Sequence, residues 1–186
     1  MHSAPDALQS CFRTLKLKGV SKEATDRRAR SLEQLKQEGV PTLAQLPVIE
    51  DSASAKARTT TEIAHRAIAL CIVAIKGEGF APSTVEAFMK KFAAAPFFSP
   101  QETVFIQNTS PPCADCIPFS WCYEALWTCL WSLGYVEKLD RPEAICPVTR
   151  AVSILRNRDT SQFIQDAVPR PLSELLDQAD LTYRYH

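Results

Sequence analysis

Glycine is scarce, net charge is nil, and no apolar run is long. Only five glycines occur among 186 residues. None belongs to a G-x-x-x-x-G-K-[ST], G-x-G-x-x-G or G-x-S-x-G motif, and no H-E-x-x-H is present. Phosphate-cradling loops, the usual hydrolase elbow and the zincin helix are thereby set aside. Lys plus Arg equals Asp plus Glu, 21 each, so no overall field draws the chain to nucleic acid or to anionic lipid. Residues 1–40 carry eight basic and five acidic side chains, a mild excess that reads as a solvated helix face in "DRRARSLEQLKQEG". The longest apolar run, "AIALCIVAI" at 67–75, falls well short of the roughly 20 residues a bilayer demands. "MHSAPDALQS" lacks the basic start and apolar stretch of an export signal. A cytoplasmic location follows as the expectation, and seven cysteines, an odd number, suit reduced thiols there. Neither a membrane nor a nucleic acid is expected as a partner.

What the chain does contain is helical punctuation. Apolar residues make up 46% and charged residues 23%, ordinary values for a globular chain. Leu8, Cys11, Phe12 and Leu15 recur at helical spacing, with Gly19 as a stop. Ser21 can cap a polar helix through Glu38, with Leu32 and Leu35 inward and Gly39 behind. The stretch from 40 to 57, with two prolines, reads as a loop. Thr59/Glu62, Ser83/Glu86 and Ser99/Glu102 each have capping-box spacing. The predicted helices run over about 60–76, 84–94 and 100–107. A strongly apolar helix is expected from Pro118 to Leu133, with Trp121, Trp127 and Trp131 on several faces and Gly134 behind it. Pro147, Thr160 and Pro171 open three more. No sustained period-2 alternation appears. The expected fold class is all-α: one compact helical domain, 1–186, of about seven to nine helices around the Trp-rich helix, with 1–20 as an N-terminal extension.

Several blocks carry a family pattern: "RSLEQLKQEGVP", "TTTEIAHRAIALCIVAIKGEG", "FSPQETVFI", "FSWCYEALWTCLWSLGYVEKLDRPEAIC" and "ELLDQADLTYRYH". Its most specific parts are the E-I-A-x-R-A step and the W-x-Y-E-A-L-W…L-G block. From about Arg30 onward the chain resembles the bacterial domain of unknown function family 4272. The resemblance implies the helical fold and carries no activity. It also implies a further helical segment beyond "YRYH", so the C-terminus is expected to be truncated relative to the family. "SPPCADCIP" falls where the resemblance implies a variable loop.

Four groups of residues are candidates for chemistry. Cys113 and Cys116 form a C-x-x-C, with Cys122 six residues on. A closed zinc site needs four ligands, and no second pair exists. Cys129 cannot join Cys122 on one ion, because seven helical residues rise about 10 Å. A redox pair is the other chemical reading, although the βαβ context of thioredoxins is missing. Unpartnered thiols, with no metal, are the expectation. Glu62, His65 and Arg66 share a helical face, and Glu124 sits within the apolar Trp helix. A carboxylate there must be paired or protonated. Arg66–Glu124 is therefore the expected structural ion pair, matched as guanidinium to carboxylate. The alternative makes Glu124 a general acid/base assisted by His65 and Glu62 in a pocket that includes Arg66. Tyr183, Arg184 and Tyr185 are candidates for contact with a partner, since Tyr and Arg are typical of binding hot spots. They suit an amphipathic terminal helix equally well.

The expected role is non-catalytic: a protein that binds another protein, in its specific form an immunity or inhibitor protein that neutralises a bacterial toxin or secreted effector. An enzyme or small-ligand protein built on Glu62, His65, Arg66 and Glu124 is the alternative. No cofactor is called for, and the sequence leaves the oligomeric state open.

Overall fold

A computed structural model describes residues 20–43 and 45–185. The first expected helix, carrying Leu8 to Leu15, lies outside them, as does His186. All regular structure among the described residues is helical, so the fold is all-α. The chain divides into two compact units, one within Met1–Ala55 and Leu176–His186, the other Lys56–Leu175.

In the first unit, α1 (Lys22–Gln37) begins where the Ser21 side chain accepts from the Ala24 N–H, with Glu23 in the first turn and Lys36 in the last. Both charges oppose the helix dipole. Gly39 follows at φ +69°, a left-handed conformation that favours glycine. Ala24, Arg27, Ser31 and Leu35 form the buried stripe. The Arg27 guanidinium donates to Asp177 at 2.9 Å, Glu23 at 2.6 Å and the Glu50 carbonyl at 3.3 Å. Asp177 belongs to the last helix, whose residues from Leu176 onward complete this unit.

The second unit is assembled around α2 (Thr60–Gly77). Its start is the expected capping box: the Thr59 hydroxyl accepts from the Glu62 N–H, and the Glu62 carboxylate accepts from the Thr59 N–H. Every residue from Ala67 to Ile75 is buried. Around it lie α3 (Pro82–Phe92), a 3₁₀ turn (Ala95–Phe97), α4 (Pro100–Gln107), α5 (Cys113–Ser120), α6 (Cys122–Ser132) and α8 (Thr160–Gln165). The helix α7 (Val148–Arg156) packs on α6. The last helix, α9 (Leu172–Tyr185), contains the boundary between the units.

The tryptophan helix is thus not the hub of this unit. Alanines at 64, 67, 69 and 74, all fully buried, let neighbours approach α2 from every side. Trp121, by contrast, stands 60% exposed. That helix is also divided at Trp121, which ends α5 and precedes α6. Pro118 lies inside α5 and offers no N–H to the preceding turn, which weakens the run just where it breaks.

The caps explain two further departures. The Ser83/Glu86 box is not formed, because the helix starts earlier, at Pro82, and Ser83 lies inside it. Proline at the first helical position needs no N–H partner. An unexpected box forms instead at α8, where the Asp159 side chain accepts from the Gln162 N–H. Among the described residues, no helix is long and apolar enough to cross a membrane.

Candidate functional site

Glu62, His65, Arg66 and Glu124 do not converge. Glu62 is taken up by the α2 cap, where the Thr59 N–H and hydroxyl hold its pKa below the ordinary value. His65 stacks on Phe97, ring centroids 3.8 Å apart. Glu124 accepts from the Cys146 N–H at 2.7 Å and so fastens the segment before α7. Arg66 does not pair with Glu124. It makes a two-pronged bond to Glu102, 2.7 Å on each side.

Glu102 is the carboxylate that sequence reasoning missed as a pair partner. The capping-box spacing placed it correctly at the start of α4, where the Ser99 hydroxyl accepts from the Glu102 N–H and the carboxylate accepts from the Ser99 N–H. That box puts the carboxylate on the side facing α2, within reach of Arg66. Burial pushes its pKa up, but the bonds from Arg66 and Ser99 and the Arg66 charge outweigh this and hold it below the ordinary value. Arg66 is raised in turn, chiefly by the bond to Glu102. Both groups are ionised at neutral pH, which suits a structural clamp between α2 and α4 and not a proton carrier.

The thiols sort by burial. Cys71 and Cys146 are buried, and burial pushes each thiol up to about 12. Burial likewise takes Cys129 to about 11 and raises Cys122. Cys113 is exposed and Cys116 half-buried. They do not lie in a loop, as the sequence suggested: they occupy the first and fourth positions of α5, with Pro112 at the N-cap position and no side-chain capping bond. Among the described residues no three His, Cys, Asp or Glu side chains come together as a metal site.

A cleft of about 700 Å³ that Cys116 helps to line opens in the second unit. Phe80, Val85, Met89, Ile106 and Pro111 supply its apolar walls, and Lys76, Glu86, Lys90 and Cys116 its polar points. None of Glu62, His65, Arg66 or Glu124 lines it. Lys76 is built in, donating to the carbonyls of Phe105, Ile106 and Asn108 at 2.6–2.8 Å. Those are orphan acceptors at the end of α4, and a buried carbonyl requires such a partner. Burial lowers the Lys76 pKa, opposed by the nearby Cys116 sulfur. The Lys90 carbonyl accepts from the Ala93 N–H at the end of α3, while its ammonium makes no hydrogen bond or ion pair with another described residue. Sequence reading missed this cleft because its lining comes from four helices, α2 to α5, and the connections between them.

The terminal candidates separate as well. Tyr183 is exposed. The Tyr185 hydroxyl donates to Glu38 at 2.6 Å. Arg184 is withdrawn from the surface: it holds Asp180 through two bonds of 2.8 Å, and both side chains are buried.

No curated protein and no solved structure matches the chain. A family model described as a domain of unknown function, DUF4272, matches residues 27–186, and the chain belongs to that family.

Proposed function

We propose that this protein works by binding another protein, and that the cleft between Phe80 and Cys116 receives an apolar segment of that partner. The observation that carries the reading is the lining of the cleft. Phe80 is 53% exposed beside Val85, Met89 and Ile106, and a grouped apolar surface with a polar rim is what a docking segment covers. Lys90 lines the cleft and suits an acidic group on that segment, since its ammonium is in no ion pair among the described residues. The specific form of the reading is an immunity or inhibitor protein, whose partner is a toxin or secreted effector.

The test is titration of the purified protein with the product of the adjacent gene, together with co-expression of the two. Phe80→Asp and Lys90→Glu, both at accessible positions, should each weaken the complex at least about tenfold, or about 1.4 kcal/mol. A complex indifferent to both would place the interface elsewhere. Failure to form a complex, with no protection on co-expression, would defeat the immunity form.

The cleft volume of about 700 Å³ also falls in the range of small-molecule sites, which favours a small apolar ligand as the second reading. Such a ligand would raise the unfolding temperature of the isolated protein, and Phe80→Asp would abolish the rise.

A further inference from the structure

We propose that Cys113 and Cys116 form a reversible dithiol–disulfide couple that exchanges with external disulfides at the edge of the cleft. The proposal goes beyond partner binding and does not depend on it.

Three observations converge. The first is geometric. Residues three apart in an α-helix have Cα atoms about 5 Å apart, inside the roughly 4.4–6.8 Å that a disulfide requires. The assignment of 113–120 to α5 therefore places the pair in register for a bond, which a free loop would not.

The second is the unequal exposure of the two thiols. Cys113 is exposed, whereas Cys116 is half-buried and lines the cleft. An exposed thiol can meet a bulky disulfide, and a sheltered neighbour can then resolve the adduct. The third is selectivity. Cys71, Cys129 and Cys146 are held protonated by burial, and the thiolate is the attacking species. The Lys76 side chain lines the same cleft as Cys116.

The exchange balances in two steps. The Cys113 thiolate attacks one sulfur of the external disulfide and forms a mixed disulfide. The external S–S bond breaks, and its first thiolate leaves and takes a proton from water. Cys116 then gives its proton to water, and its sulfur attacks Cys113 Sγ, expelling the second external thiolate. The external disulfide is reduced by two electrons, and the Cys113–Cys116 dithiol is oxidised by two. The reverse sequence regenerates the dithiol.

The test treats the reduced full-length chain with glutathione disulfide, in a Cys11→Ser background so that this thiol does not contribute. Peptide mapping should find Cys113 joined to Cys116 and no glutathione retained. Cys116→Ser should stop after the first step and keep one glutathione on Cys113. Cys113→Ser should lose thiols about tenfold more slowly. Circular dichroism of both variants, expected to match the parent, separates lost chemistry from lost folding. Stable glutathione adducts on the parent would overturn the proposal. So would linkage through other cysteines, or Cys113 reacting no faster than Cys122.

Discussion

Glu102 and Asp180 are both buried carboxylates, but their settings differ in a way that sets what substitution costs. Asp180 and Arg184 are 0% and 1% exposed at the side chain, so removing one strands the other charge away from water. Asp180→Ala should cost about 3–5 kcal/mol in urea unfolding. Asp180→Leu with Arg184→Met should cost less than the single change, because no charge is then left buried. Arg66 is 41% exposed over a 6% exposed Glu102. Water thus screens one side of the pair, and Arg66→Met should cost about 2 kcal/mol. Glu102 also imposes a pH dependence. Its folded pKa lies below the reference value of 4.5, so the unfolded chain binds its proton first on acidification. The stabilisation is present above that value and is lost as the pH falls through the lower, folded one. Arg66→Met should flatten this part of a stability–pH profile measured by chemical denaturation. Sequence reasoning reached the right cation here and the wrong anion. Helical spacing tells which residues share a face, but not which neighbouring helix that face meets.

At the scale of elements, α2 and α5 come close together at Gly77. A Cβ built on Gly77 would stand 2.6 Å from the Ser120 backbone nitrogen and 2.9 Å from the Cys116 carbonyl oxygen. Backbone cannot swing aside as a flexible side chain can. Gly77→Ala therefore gains up to about 1 kcal/mol of helix propensity and loses more by forcing the helices apart. The net loss should be about 1–3 kcal/mol, read as a lowered thermal midpoint. Gly77 directly follows the helix predicted over 60–76, yet the left-handed residue beyond the helix is Gly79, at φ +81°. Lys76, one residue earlier, bonds the three carbonyls near the end of α4, so Lys76→Met should destabilise by about 1–3 kcal/mol. Both roles depend on long-range approach and leave no local mark. The boxes at Thr59 and Ser99 were legible because a cap is satisfied within four residues. Ser83 failed as a cap because Pro82, its neighbour, is the better first helical residue.

For the molecule as a whole, the tryptophans report on one unit only, because Trp121, Trp127 and Trp131 all lie within Lys56–Leu175. Trp121 is already 60% exposed and Trp131 only 7%. Trp131→Phe should therefore remove much of the emission shift on unfolding, and Trp121→Phe little, as a denaturant titration of each variant would show. The all-α class, most helix starts and the identity of the strongly buried segment 67–75 were set by the sequence alone. Each depends on local chemistry: caps, 3.6-residue periodicity, and apolar side chains that water excludes wherever they end up. Only the tertiary structure decided that α2 and not the tryptophan helix is central, that Arg66 holds Glu102, and that Cys113 and Cys116 stand on a helix beside a cleft. Those outcomes depend on which helices meet. That choice is made by volume, by small residues that permit approach, and by the need to pair every buried charge, none of which a one-dimensional pattern contains.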